Sequence, residues 1–163
     1  MNSPIKKIMV YIDGSEQSIT AAQYALCLSK FTGADLMAFY VINTKALDDL
    51  LKARIFLKEE QMDYERDLEE DARRYLNHVR ELARDKGITI ETRSAMGNVH
   101  REIVKIIKEE GFDLLIIGEL SHIRSRRDEF YDETERAMRI VPCSVLIVKD
   151  EDSVWEHYES LGK

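Results

Sequence analysis

Short apolar runs alternate with longer amphipathic stretches along this chain, and that alternation limits its fold more than any other feature. Four runs are almost entirely apolar: Lys7–Ile12, residues 36–42, residues 114–117 and Ser144–Val148. Such runs, of about four to eight residues, are typical of strands buried on both faces of a parallel sheet. A fifth run, residues 88–96, alternates polar and apolar side chains, which indicates a half-exposed strand near a sheet edge.

The stretches between these runs have the residue spacing and the end signals of helices. Ser15 is a good N-cap for a helix over residues 16–31, and Gly33 can adopt the conformation that ends it. Further helices are predicted over residues 58–86, Val99–Glu110 and residues 129–141, and a helix or an ordered loop over residues 43–57. This alternation predicts a single α/β domain: an open, parallel, five-stranded sheet with helices on both faces.

The domain is predicted to span residues 1–150, followed by an acidic tail at residues 151–163. Val154, Trp155, Tyr158 and Leu161 would share one side of a short helix in this tail. Because an exposed apolar stripe is unfavourable in water, we expect the tail to dock on its own domain or on a dimer partner. The charged face of residues 58–86 is expected to be solvated, with contact to a partner subunit as the alternative.

The charge and hydrophobicity of the chain argue against several classes of protein. Nucleic-acid-binding proteins need a basic surface, whereas this chain has a formal net charge of -7. No window reaches the roughly 18 apolar residues of a membrane span, and the apolar run after Lys7 is too short for a secretory signal. Cys27 and Cys143 stand alone, as reduced thiols do in cytoplasmic proteins. We therefore expect a cytoplasmic protein that binds neither nucleic acid nor membranes.

Sequence motifs for catalysis or metal binding are absent. The four histidines fall in separate segments without the spacing of an HExxH site. Neither GxSxG nor the Gly-Lys-Ser/Thr of a P-loop occurs. No catalytic residue and no metal ligand is therefore predicted.

A polar loop follows the strand that ends at Gly118, and open parallel sheets bind ligands at such strand ends. The loop contains Ser121 and the arginines Arg124, Arg126 and Arg127. We expect a solvated loop in which nearby acids neutralise these arginines; those acids are Asp128, Glu129, Asp132 and Glu133. The alternative is that the arginines bind an anion.

Three segments resemble the universal stress protein family in their order and spacing. They are KKIMVYIDGSEQSITAAQYALCLSKFTGADLMAFYVI at residues 6–42, GNVHREIVKIIKEEGFDLLIIGE at 97–119 and VPCSVLIVK at 141–149. The resemblance covers nearly the whole chain and implies a Rossmann-like fold of the adenine nucleotide alpha hydrolase type.

The resemblance also implies where a nucleotide would bind. Family members that bind ATP carry two glycines and then a Gly-Ser or Gly-Thr pair after the fourth strand, where backbone amides approach the phosphates. Here Gly118 matches the first glycine, but Ser121 replaces the second and Tyr131-Asp132 replaces the pair. Tyr131 adds bulk and Asp132 adds negative charge, which implies that the usual ATP phosphate site is lost.

The adenosine end of that site is better matched. Asp13 corresponds to the aspartate that faces the ribose or base, Val41 to the position beside adenine, and Gly97 to the glycine after the third strand. Each also has a purely structural interpretation, in a turn for Asp13 and Gly97 and in the core for Val41. The candidate nucleotide site consists of Asp13, Val41, Gly97, Gly118 and Ser121.

The function implied by the resemblance is that of a non-enzymatic stress-response or regulatory protein without a cofactor. It would form a homodimer through Ser144–Val148 and act on a regulatory protein partner. One alternative is a switch that binds ATP or AMP through Asp13, Val41 and Gly118, with the arginines of residues 124–127 at the phosphates. A second alternative is a weak nucleotide hydrolase.

Overall fold

The computed structural model of the chain describes residues 3–44, 48–49, 52, 58–120 and 129–162. The strands are β1 (Lys7–Ile12), β2 (Asp35–Asn43), β3 (Glu91–Gly97), β4 (Leu114–Gly118) and β5 (Ser144–Val148). The helices are α1 (Glu16–Thr32), α2 (Lys58–Asp85), α3 (Val99–Glu110), α4 (Glu129–Ile140) and α5 (Glu151–Ser160). The prediction for residues 43–57 lies mostly outside the described residues.

The strands form one parallel sheet in the order β3-β2-β1-β4-β5. At its centre, Val10 of β1 is paired with Ala38 of β2 on one side and with Ile116 of β4 on the other. The strand order therefore reverses beside β1, and sheets of this kind bind ligands at the carboxyl ends of the strands next to such a reversal. The predicted α/β fold with a parallel five-stranded sheet is confirmed.

Alternate residues of β1 point into two separate cores. Ile8 and Val10 contribute to the core beneath α1, α2 and α5, whereas Met9 and Tyr11 contribute to the core beneath α3 and α4. This two-residue period follows from the pleat of a strand. Burial on both faces explains why the strand sequences are continuously apolar.

The largest difference between predicted and observed bounds is at β3, which begins at Glu91 rather than at residue 88. Ile88 and Ile90 pack against the first core from the preceding connection, so their apolar character reflects core contact and not strand pairing. β3 is an edge strand with mostly half-exposed side chains, in agreement with its alternating sequence.

Helix α5 packs on the first core through Val154 and Tyr158, both of which are buried. The Tyr158 hydroxyl donates a hydrogen bond to the carbonyl oxygen of Leu82 at 2.7 Å. Trp155 differs from the expectation of one shared apolar side, because 51% of its surface is exposed. Consecutive helical residues are about 100° apart, which turns Trp155 away from the face that Val154 buries.

Two further predictions from the sequence concern the state of the cysteines and the presence of membrane-spanning segments. Cys27 and Cys143 are both free thiols. Among the described residues, no helix combines the length and the apolar character that crossing a membrane requires.

Candidate functional site

Four of the five candidate site residues lie at the carboxyl edge of the sheet. Asp13 directly follows β1, Val41 lies near the end of β2, and Gly97 and Gly118 end β3 and β4. Parallel strands present their carboxyl ends at one edge, which is why residues distant in sequence converge here. Ser121 and the arginines at 124, 126 and 127 lie outside the described residues.

A pocket of about 180 Å³ opens at this edge between β1, β2 and the first half of α2. Its lining comprises the aromatic residues Tyr11, Tyr40 and Tyr64, the polar residues Asp13 and Asn43, and the apolar residues Val41, Ile42 and Leu68. We call it the tyrosine pocket. It brings Asp13 and Val41 together, whereas Gly97 and Gly118 are not part of its lining.

Asp13 organises the turn that joins β1 to α1. Its Oδ1 accepts hydrogen bonds from the backbone N–H of Ser15 at 2.9 Å and from the Ser15 hydroxyl at 2.5 Å. The Ser15 hydroxyl oxygen in turn accepts the N–H of Ser18 at 3.1 Å and so caps α1. Asp13 therefore has a structural role in the turn, and its exposed carboxylate also borders the tyrosine pocket.

Gly118 is held against the first turn of α1. A Cβ atom at this position would lie 2.5 Å from the carbonyl oxygen of Gln17 and 2.6 Å from its carbon. Neither backbone atom can move without shifting α1, so only glycine allows α1 to pack this closely on β4. The packing of α1 therefore explains this glycine without any ligand.

Gly97 forms the turn between β3 and α3. It has a φ of 143°, and a Cβ atom there would lie 3.1 Å from Oε1 of Glu102. The next residue, Asn98, caps α3 by accepting the N–H of Arg101 at 3.2 Å. Gly97 is thus accounted for by its backbone conformation.

The hydroxyl groups of two pocket tyrosines resist ionisation. Burial raises the pKa of Tyr11 well above its usual range, and the negative charges of Asp13 and Glu133 raise it further. Burial, followed by the charge of Asp71, raises the pKa of Tyr40 to about 12. Both side chains therefore remain neutral phenols near neutral pH, in surroundings of negative potential.

Beside this edge, the structure brings together two residues that the sequence did not connect, His100 of α3 and Glu133 of α4. His100 Nδ1 lies 2.5 Å from Oε2 of Glu133, and the His100 backbone N–H donates to the same oxygen at 3.2 Å. Glu133 is only 7% exposed, and its carboxylate is engaged by His100 of the neighbouring helix. Its expected role in neutralising the loop arginines stays a prediction, because those arginines lie outside the described residues. The position of Glu133 four residues before the buried Ala137 is the signal for an inward side chain, because such residues share a helix face.

Two opposing effects set the pKa of the Glu133 carboxyl group. Burial favours its neutral form, but hydrogen bonds from His100, together with the charges of His100 and Arg136, favour the carboxylate. The pKa of Glu133 consequently lies below its usual value. Glu133 is thus a buried carboxylate that holds the start of α4 against the start of α3.

The described residues hold no group of three or more histidine, cysteine, aspartate or glutamate side chains that could bind a metal ion. Within that part of the chain, the His100–Glu133 pair is the most buried of the ion pairs. Its buried carboxylate is already engaged by two hydrogen bonds, which favours a role in joining the two helices.

Comparisons with known proteins give relatives along nearly the full chain. A universal stress protein of Methanocaldococcus jannaschii, MJ0531, is 27% identical over 144 residues, which cover 88% of this chain and 82% of that protein. The solved structure of the protein MJ0577, from the same organism, superposes with a TM-score of 0.72 at 24% identity and covers 92% of this chain and 99% of that one.

A third similar structure is that of the Arabidopsis thaliana universal stress protein family protein At3g01520, solved with AMP bound. It has a TM-score of 0.64 and 14% identity, and covers 91% of this chain and 94% of that one. The model of the family described as the universal stress protein family matches residues 4–149, which include every strand of the sheet. On that match, the chain belongs to the universal stress protein family.

Proposed function

We propose that this chain is a non-enzymatic stress-response protein that regulates a partner protein and has lost the ATP phosphate site of its family. The observation that carries the proposal is that three of the four matched loop positions, Ser121, Tyr131 and Asp132, depart from the residue types of ATP-binding members, and only Gly118 keeps its own. Gly118 stands against the backbone of Gln17, so packing requires it whether or not a phosphate binds.

Charge supports the same conclusion. Among the described residues that line the tyrosine pocket, Asp13 is the only charged one, and its charge is negative. Asp13 matches the family aspartate that faces the ribose or base, so the charge that argues against a polyphosphate is the one at position 132, where like charges would repel each other. Asp132 adds a second negative charge at the position where ATP-binding members have a hydroxyl group.

Isothermal titration calorimetry with ATP, ADP and AMP tests the proposal, after the purified protein has been checked for bound nucleotide. We expect no saturable binding of ATP below about 1 mM, which corresponds to a binding free energy of about -4 kcal/mol. Submillimolar ATP binding that is abolished by Asp13→Ala would show the proposal to be wrong. The triple substitution S121G/Y131G/D132S restores the family loop, and we expect it to gain affinity for ATP.

We propose further that two copies of the chain associate through β5. This strand is an edge of the sheet, and Ile147 within it is 39% exposed. Unpaired edge strands with apolar side chains tend to associate with another chain, which supports a dimer at this edge. Analytical ultracentrifugation should give a dimer for the natural chain and a monomer for Ile147→Lys; a dimer that persists in the variant would contradict this interface.

A second candidate function is a switch that binds AMP or another adenine ligand. It is favoured by the AMP-bound relative and by the presence of Asp13 and Val41 in one pocket. AMP binding that is weakened by Asp13→Ala, in a protein that does not bind ATP, would support this candidate. A cytoplasmic location remains a prediction for either function.

A further inference from the structure

Trp155 on α5 is half-exposed, although the same helix buries Val154 and Tyr158. The centroid of its ring lies 6.3 Å from that of the Tyr158 ring, and this contact restrains the indole. Tyr158 is in turn fixed by the first core and by its hydrogen bond to the carbonyl oxygen of Leu82. The indole is therefore presented to solvent on a helix that is anchored to the domain.

Three carboxylates surround Trp155 on the helix surface. Residues three and four positions apart are neighbours on a helix. For Trp155 these neighbours are Tyr158 and the acids Glu151, Asp152 and Glu159. All three acids are exposed, and within the described part of the chain none of them forms an ion pair. The helix contains no lysine or arginine, so its outer surface combines an aromatic ring with uncompensated negative charge.

Helix formation explains only part of this charge. Glu151 and Asp152 lie in the first turn, where carboxylates interact favourably with the helix dipole. Glu159 lies in the last turn, where the same dipole disfavours a carboxylate. The nearby Lys86 is engaged elsewhere, because its Nζ donates to the carbonyl oxygen of Leu161 at 3.1 Å and lies 5.0 Å from the centroid of the Tyr158 ring. Glu159 is therefore available to a cation from outside the chain.

This surface favours a cation that can stack on an aromatic ring. Tryptophan attracts cations more strongly than the other aromatic side chains do. The guanidinium group of arginine is planar, stacks on aromatic faces and pairs with carboxylates through two hydrogen bonds. Nucleic acids and anionic membranes are negatively charged, so this surface would repel them. The family match ends at residue 149, so α5 lies outside the segment that the chain shares with its family.

We propose that this surface of α5 docks an arginine-containing basic segment of a partner protein. We call the surface the α5 face; it consists of Glu151, Asp152, Trp155 and Glu159. The indole would stack on a guanidinium group, and the carboxylates would pair with it and with neighbouring basic side chains. The inference rests on the proposed regulation of a partner protein, and it adds the surface that is used and the chemistry of the partner.

The fluorescence of Trp155 tests the proposal, because it is the only tryptophan of the chain. The probe is a short peptide of alternating arginine and glycine, and its control contains citrulline, a neutral residue of nearly the same shape, in place of arginine. We expect the arginine peptide to shift the emission saturably below about 1 mM and to bind about tenfold more tightly than its control. Equal responses to the two peptides, or no saturable response to either, would overturn the proposal.

Charge variants assign the binding to the α5 face. The triple variant E151Q/D152N/E159Q should bind the arginine peptide about tenfold more weakly, because it removes three exposed charges that pair with it. The matched control is E59Q/D67N/E69Q, which makes the same change in net charge at exposed positions of α2 and should leave the affinity unchanged. An equal loss in the two triple variants would mean that only the overall charge of the protein matters, and would overturn the proposal.

Variants of Trp155 separate the aromatic ring from the charges, with calorimetry replacing fluorescence. Trp155→Leu should weaken binding of the arginine peptide about two- to fivefold, because leucine is apolar but has no aromatic face. Trp155→Phe should lose less, since it keeps a ring. Neither variant should change binding of the citrulline peptide. Equal losses in the two variants would overturn the stacking on which the proposal depends.

A second copy of the chain is the other occupant to be tested. If Trp155→Leu converts a dimer into a monomer in analytical ultracentrifugation, a second copy covers the α5 face and the proposal is wrong. ATP calorimetry separates this inference from the proposed function. ATP binding together with a preference for arginine would refute only the loss of the phosphate site, whereas no ATP binding and no preference for arginine would refute only the α5 face.

Discussion

Replacing His100 with alanine should destabilise the fold by more than the loss of an ordinary surface contact. The side chains of His100 and Glu133 are only 15% and 9% exposed, and their polar atoms are 2.5 Å apart. A hydrogen bond to a charged group contributes about 1.5–3 kcal/mol, and its loss leaves the buried Glu133 with one backbone N–H donor and with Arg136 at 3.8 Å. We therefore expect His100→Ala to lower the free energy of unfolding by about 2–3 kcal/mol.

The complementary variant Glu133→Gln should cost less, about 1 kcal/mol, because a neutral amide can still accept the His100 backbone N–H. Urea denaturation of both single variants and of the double variant gives the coupling energy. Side chains in contact couple by about 0.5–3 kcal/mol, and we expect a value within that range. Strictly additive effects would refute the pairing of these two side chains.

The dependence of this stabilisation on pH has a definite sign. The pKa of Glu133 is lower in the folded protein than its ordinary value of 4.5. Its contribution is therefore complete above about pH 5 and is lost as the pH falls through the folded pKa, because the unfolded chain takes up the proton first. The groups that act on this carboxyl group are His100 and Arg136.

A surface pair on the same helix provides the control. Glu135 pairs with Arg139 at 2.7 Å on the exposed side of α4. Exposed pairs of this spacing contribute about 0.3–0.5 kcal/mol, so Glu135→Gln should change stability only slightly. If Glu135→Gln costs as much as His100→Ala, burial of the pair does not explain the effect.

Three further predictions concern the packing of the fold and the pH dependence of its stability. Gly118→Ala should lower the free energy of unfolding by about 1–3 kcal/mol, because its Cβ would overlap the backbone of α1; Gly162→Ala, which meets no atom within 4 Å, should have no such effect in the same urea titration. Tyr158→Phe should cost about 1 kcal/mol and speed amide exchange in α5, since it removes a 2.7 Å hydrogen bond. The free energy of unfolding should fall as the pH rises from about 10 through about 12, because the unfolded chain loses the Tyr40 proton at a lower pH than the folded protein does. Thermal denaturation at several pH values in this range should show a smaller fall for Tyr40→Phe.

The bounds of a helix or strand were predicted best where the residues beside it mark a start or a stop. β1 and β5 have the predicted bounds, since each is an apolar run with a turn residue or proline beside it. The carboxyl edge was also predictable, because the order of strands and helices requires parallel pairing. The family resemblance implied that Asp13 and Val41 belong to one site, and the parallel order of the strands is consistent with that placement.

The tyrosine pocket and the His100–Glu133 pair could not be predicted in the same way. Tyr11 and Tyr40 have the sequence context of core strand residues, and Tyr64 lies in a charged helix 24 positions further along. His100 and Glu133 are 33 positions apart, and they meet because α3 and α4 cover the same face of the sheet. Motif spacing detects residues on one element, whereas both of these associations depend on the distance between elements.

Gly118 shows why a matched motif residue needs a physical test before it is assigned to a ligand. Backbone approach to a phosphate and backbone approach to another helix both require the absence of a Cβ atom. At this position the second requirement is met within 2.5 Å by Gln17, so glycine would be needed in a chain that never binds ATP. The match at Gly118 therefore does not discriminate between an intact and a lost phosphate site. The discriminating positions are 121, 131 and 132, where serine, tyrosine and aspartate replace the residues of ATP-binding members.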